Sequence, residues 1–383
     1  MQGILDNDLY KFTMQQAVIQ KFPRARVRYQ FINRGGTIFP NDFARELQAE
    51  VGSWVQYQVG GSLKFWLKET CPFLNPAYID FLSAYTFNPH EVIFTQPHGE
   101  LNVTIEGPWY RTILWEVPLL ALISEKYYKL TRPCINSRDE IVSRIQNKGV
   151  QIKKHGLSVA DFGTRRRYSY AIHKTLVHYL ADTLVGTSNV LLANHYQIKP
   201  IGTHAHEWFM FHAAKYGHVS ATYLSLKHWA EAFDGELGIA LTDTFTSDVF
   251  FKNFSTSFSK LFDGVRQDSG LPEAYITRVV NHYKSKKIDP STKTIVFSDN
   301  LTIEKAIALK TLCDQAGIRC SFGIGTSLTN DVGAQPLNIV IKMSHVLLNN
   351  TWIPVVKLSD ETGKHTGDNN AIQLCKEVLQ CNS

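Results

Sequence analysis

The chain has 383 residues, enough to bury a large core in two domains or in one barrel with additions. Forty basic residues against 34 acidic leave a formal charge of +6 without long basic runs, a mild balance that suits anionic small molecules as well as nucleic acid. Six cysteines form no Cys-x-x-Cys pair or zinc spacing, Asp6 and Asp8 stand where an export signal needs basic residues, and no apolar run approaches the ~20 residues of a membrane helix, so a soluble cytoplasmic protein with reduced thiols is expected.

In chain order, the first strand candidates are 26–32, 91–94 and 103–106, within a mixed segment that lacks a regular alternation. From about 156 onward, strand-length apolar runs alternate with helical periods. Strands are predicted at 156–162, more weakly at 184–188, then at 200–204, 237–242, 260–266, 294–297 and 319–323. Helices are predicted at 168–183, 207–216, 220–233, 272–286 and 302–316, with Pro272 suited to a first turn and Thr302 to a cap. Alternation returns at 337–343 and 352–358. The pattern predicts an irregular α/β barrel over about 109–336. A second, discontinuous α+β domain is expected from residues 1–108 and the tail, about 337–383. A dinucleotide-binding sheet is disfavoured, because the glycine loop Gly323-Ile324-Gly325-Thr326 follows the last strand rather than the first.

In a barrel of this kind, chemistry collects where strands end. Here those ends read Asp161-Phe162-Gly163-Thr164-Arg165, Ser188-Asn189, His204-Ala205-His206-Glu207, Asp243-Thr244, Arg266-Gln267-Asp268-Ser269-Gly270, Ser298-Asp299-Asn300 and Gly323-Ile324-Gly325-Thr326. Asp, Ser, Asn and Gly are also ordinary turn formers, and any one histidine is more often structural than catalytic. The combination is more telling. Two arginines and a late glycine loop suit phosphate, an aromatic between Asp161 and Arg165 suits a flat ring, and a neutral imidazole can accept a proton, a metal or a phosphoryl group.

These segments, in this order and together with Asp8-Leu9-Tyr10-Lys11 and Gly186-Thr187-Ser188-Asn189, resemble the nicotinate phosphoribosyltransferases and their relatives that use nicotinamide. The resemblance implies a type II phosphoribosyltransferase fold. It also implies displacement of diphosphate from 5-phosphoribosyl-1-diphosphate by nicotinate, coupled to ATP, in NAD synthesis. A homodimer with shared active sites is implied too. By the same resemblance His206 is the phosphorylated histidine, and Asp268 lies near the ribose or diphosphate. Phe162, and Tyr10 from the other subunit, hold the pyridine ring. Arg165 and Arg266 meet phosphate or carboxylate oxygens, and Gly323, Gly325 and Thr326 hold the ribose 5-phosphate. Ser188 stands where nicotinamide users carry aspartate, which points to the acid as substrate. Asp161, His204, Glu207, Asp243, Asp299, Lys342 and Lys357 are further candidates. Mg²⁺ is expected on the diphosphate and ATP rather than in a dedicated protein site. A metal-dependent hydrolase would also use His204-x-His206, but on the first barrel strand, and at least two βα units precede it here. A nucleic-acid-binding protein would explain the basic balance but not the separated Asp and Gly loops, and no membrane partner is expected.

Overall fold

The computed structural model describes residues 1–361 and 363–381. It is a mixed α/β protein with an antiparallel and a separate parallel sheet, the class expected from the alternation. Two compact units divide it, each assembled from separated stretches of sequence: 1–154, 159–202 and 324–343 form one, and 155–158, 203–323 and 344–383 form the other. Only the first few residues of the tail therefore group with the amino-terminal half. No helix among the described residues is long and apolar enough to cross a membrane.

In the first unit, β1 (Arg26–Asn33), β2 (Val92–Thr95) and β3 (Asn102–Pro108) form an antiparallel ladder in the order β1-β3-β2, with Tyr29 and Val92 both opposite Ile105. Alternation along β3 buries Val103, Ile105 and Gly107. Stacked Trp54 and Trp115, with ring centroids 5.7 Å apart, anchor the core nearby. The same unit holds the first parallel pair, β4 (Val159–Asp161) and β5 (Gly186–Thr187), joined by the helix Tyr170–Leu180. Ser169 caps that helix through the Ile172 N–H.

The second unit carries the parallel ladder of β6 (Ile239–Leu241), β7 (Gly264–Gln267), β8 (Thr294–Phe297) and β9 (Arg319–Ile324), each pairing with the next. Helices Pro272–Ser285 and Ile303–Ala316 make the last two crossovers. Strands β10 (Ile339–Leu348) and β11 (Thr351–Pro354) meet in a two-residue hairpin whose Asn349 and Asn350 both have positive φ, the turn that matches strand twist.

Three expected strands differ. Residues 200–204 form no strand: β5 offers only two residues as a partner, so pairing stops at a single bridge between Thr187 and Pro200 and the chain continues as an extended loop. The expected strand 260–266 begins late, because Phe254, Phe258 and Phe262 recur at helical spacing and Ser255 caps the helix Thr256–Leu261, leaving β7 to start at Gly264. The strand near 237–242 is likewise shortened by the left-handed backbone of Leu237.

Candidate functional site

In the second unit, side chains from the ends of β6, β7 and β8 and from the tail converge on His206, the first residue of the helix His206–Tyr216. Its Nδ1 lies 3.0 Å from Thr244 Oγ1. Its Nε2 lies 3.1 Å from Asp268 Oδ2, 3.0 Å from Lys357 Nζ and 3.8 Å from Asp243 Oδ1. Burial, reinforced by Lys357, pushes the imidazole pKa down to about 4 against the opposing pull of Asp243 and Asp268, so the ring is neutral near pH 7.

The partners are themselves held. Arg266 points Nη2 at Asp268 Oδ1 (2.8 Å), Nε at Ser298 Oγ (2.8 Å) and Nη1 at Thr203 Oγ1 (2.7 Å), while Ser298 also donates to Asp268 Oδ1 at 2.7 Å. Burial would raise the Asp268 carboxyl, but Arg266 and His206 outweigh it and keep the group well below the usual range. Asp243 Oδ2 accepts from Ser269 Oγ at 2.6 Å and pairs with Lys357 at 3.3 Å. Its Oδ1 is buried without a hydrogen bond. Lys357 is delivered by the tail: Leu358 N–H donates to Thr244 O at 2.8 Å, and Asp360 accepts from both the N–H and the hydroxyl of Ser247.

His204 has a different character. Its Nε2 accepts from the Leu241 N–H at 3.0 Å and its ring meets Trp229 edge-on at 4.8 Å. Burial pushes its pKa down to about 3, which makes it a neutral core histidine bracing β6. Glu207 is buried in the first helical turn, and Asp299 pairs with Lys364 at 3.2 Å rather than joining the His206 group.

The first unit gathers a second set. Lys11, fully buried, pairs with Glu116 at 2.6 Å, and Arg165 approaches the other carboxylate oxygen at 3.5 Å. Lys342 adds a third positive influence on Glu116, which is held below its usual pKa despite burial. Tyr10 lies beside Glu116, Lys11 and Arg165, and burial, with Glu116, raises its phenol. Ser188 Oγ donates to Asp8 Oδ1 at 2.7 Å. Asp161 is saturated. It accepts from Gly163 N–H and Thr187 Oγ1 at 2.8 and 2.6 Å, and its Oδ2 lies 2.6 Å from His173 Nε2, which makes it a brace for the turn carrying Phe162. Phe162 itself is only half-buried. A Cβ on Gly163 would sit 2.2 Å from Thr329 Cγ2, and one on Gly325 would sit 3.0 Å from the Phe162 carbonyl, so both glycines are required by close approach. Thr326 follows Gly325 at the start of a single helical turn, whereas Gly323 belongs to the second unit and lies buried within β9.

Sequence reasoning did not single out Thr244, Lys11, Glu116 or Asp8 as members of these clusters, though Asp8 and Lys11 lie in one of the segments that carry the resemblance. Thr244 had a signal, since it directly follows the strand-end Asp243. Glu116 had none, because its partner Lys11 is remote in sequence.

Residues 157–383 match the nicotinate phosphoribosyltransferase (NAPRTase) family, and residues 5–124 match the N-terminal domain of the same family. The chain belongs to the nicotinate phosphoribosyltransferase family. Among curated family members it is 52% identical over 388 residues to the nicotinate phosphoribosyltransferase of Desulforapulum autotrophicum, covering 99% of each chain. It is 49% identical over 384 residues to that of Chromohalobacter salexigens, covering 99% of this chain and 98% of the other. Among solved structures, the nicotinate phosphoribosyltransferase of Porphyromonas gingivalis superposes with a TM-score of 0.97 at 40% identity over the full length of both chains. The Vibrio cholerae protein superposes with a TM-score of 0.92 at 30% identity, covering 100% of this chain and 95% of the other.

Proposed function

We propose that the chain transfers the phosphoribosyl group of 5-phosphoribosyl-1-diphosphate to nicotinate, releasing diphosphate and forming nicotinate mononucleotide. In this reading ATP drives the reaction through phosphorylation of His206. The observation that carries it is His206 itself: a neutral, buried imidazole with a lysine and two carboxylates about one nitrogen and a hydroxyl at the other.

A ring nitrogen of His206 attacks the γ-phosphorus of ATP, the bond to ADP breaks, and the ring proton leaves through the nitrogen not phosphorylated. Lys357 offsets the added phosphoryl charge, while Asp268, fixed by Arg266 and Ser298, orients the imidazole. Cleavage of the ribose–diphosphate bond develops oxocarbenium character at the anomeric carbon, which Asp268 stabilises. Asp243, whose Oδ1 lacks a hydrogen bond, and Asp268 offer hard oxygen donors that would suit magnesium brought in by diphosphate. When bound, magnesium neutralises the leaving diphosphate.

Arg165 and Arg266 meet substrate oxyanions, Phe162 stacks on the pyridine ring with Tyr10 of a second subunit opposite, and Ser188 faces the carboxylate. Gly323, Gly325 and Thr326 receive the ribose 5-phosphate, and Lys342 an adjacent anion. A cytoplasmic homodimer, with residues 109–336 as its barrel domain, completes the reading. Incubation with phosphoribosyl diphosphate, magnesium and nicotinate, with and without ATP, tests it: mononucleotide should form and ATP should increase its yield. No mononucleotide under either condition would refute the assignment.

A further inference from the structure

Ser188 and Asp8 form a donor–acceptor pair, and the Thr164 side chain also hydrogen-bonds to the Asp8 carboxyl. The serine hydroxyl lies 2.7 Å from Asp8 Oδ1, and both side chains are buried. The segments carrying them are locked together: Leu9 N–H donates to Ser188 O at 2.8 Å, and Asp8 bridges to Asn189. The neighbouring Asp6 is occupied separately, accepting from Arg167 at 2.6 and 2.8 Å and from Asn189 Nδ2 at 2.8 Å. Arg167 is thereby committed to Asp6. The charged groups that act on Asp8 are Arg165, which favours its carboxylate, and Asp161, which opposes it.

A hydroxyl has one proton to give. An ionised Asp8 can only accept, so the Ser188 proton points at Asp8 and a ligand meets serine lone pairs. A protonated Asp8 donates to Ser188 Oγ instead, and the serine proton is released toward the ligand. Nicotinate presents a carboxylate and needs that donor, whereas nicotinamide presents an N–H that the lone pairs would accept. We propose that the protonation state of Asp8 sets the hydrogen-bonding sense of Ser188, so that the acid is bound together with one proton. The proposal rests on the reading of Ser188 as the residue facing the carboxylate. Burial raises the Asp8 carboxyl above its usual range in spite of Thr164, Ser188 and Arg165, the direction that favours the protonated form.

Calorimetry of nicotinate binding to the intact protein, in buffers of differing ionisation heat from about pH 6 to about pH 9, counts the protons taken up. Uptake should rise toward one proton per nicotinate once Asp8 is ionised in the free protein, with affinity falling by about tenfold per pH unit beyond that point. Nicotinamide should take up none. Asp8→Asn, whose amide donates to Ser188 at every pH, should bind nicotinate without uptake and without the pH slope. Ser188→Ala retains Asp8 but breaks the relay, so it should lose uptake as well and serves if Asp8→Asn does not fold. No uptake by the wild type across the range, or uptake unchanged in either variant, overturns the proposal. Failure of nicotinate to bind the wild type at any pH overturns the functional reading, and this proposal with it.

Discussion

The two clusters differ in how their charges close. Around His206, Arg266 and Lys357 balance Asp243 and Asp268, and the imidazole itself is neutral. Around Glu116, one carboxylate faces Lys11, Arg165 and Lys342. The first places a neutral imidazole among groups of both signs. The other is a single buried carboxylate held by several cations.

The largest effect expected within the balanced cluster is that of His206→Ala, which should abolish labelling by γ-³²P ATP and the ATP stimulation while leaving some uncoupled transfer. Labelling at the wild-type level would move the acceptor elsewhere. Next is acidification. His204, His206 and His212 are buried neutral, with pKa values pushed down to about 3, 4 and 3 from an ordinary 6.5. Below about pH 6.5 the unfolded chain binds more protons than the folded one, so the stability these groups contribute is complete above that pH and is lost as pH falls toward the folded values. The loss is on the order of 1 kcal/mol per histidine per pH unit. Denaturant midpoints at about pH 7 and about pH 5 measure it, and equal midpoints would mean that the rings are charged in the fold.

The cationic cluster is probed by Lys11→Met, which leaves Glu116 buried with one partner fewer. A destabilisation of about 3 kcal/mol is expected by chemical unfolding, and an unchanged midpoint would show that Arg165 and Lys342 suffice. Arg266→Lys should lower kcat/KM by a factor equivalent to about 2 kcal/mol, because a lysine cannot hold Asp268, Ser298 and Thr203 at once. A well-folded variant of full efficiency would make the arginine dispensable. The smallest change is expected from Ser188→Asp, which brings a second carboxylate beside Asp8 and should shift preference from nicotinate toward nicotinamide by about tenfold. Competition between the two bases reads this directly, and an unaltered ratio would separate Ser188 from base choice.

Much of the His206 cluster was legible in the sequence because strand ends and helix starts are local signals. Asp243, Arg266, Asp268 and His206 all sit at such places, and the helical periods fixed their order. The pairing of Lys11 with Glu116 was not legible, as nothing local distinguishes a buried ion pair from two surface charges. Ser188 was read as a mark of the acid substrate, and its hydroxyl lies against Asp8, a contact that only folding creates. His204 and His206 look equivalent as a motif, and backbone geometry separates them: the Leu241 N–H claims one ring, and side chains surround the other. The strand expected at 200–204 failed because apolar character cannot report that the neighbouring edge is only two residues long.

Lys357 comes from the tail, long after the other residues that contact His206, and is tied to Thr244 through Leu358. Ribosomes release chains amino-terminus first, and early segments begin to fold while later ones are still being made. A nascent polypeptide that has already exposed its histidine, aspartates and arginine therefore lacks the cation that balances them. The charge of the cluster is thus balanced only once the segment carrying Lys357 has been made and has docked.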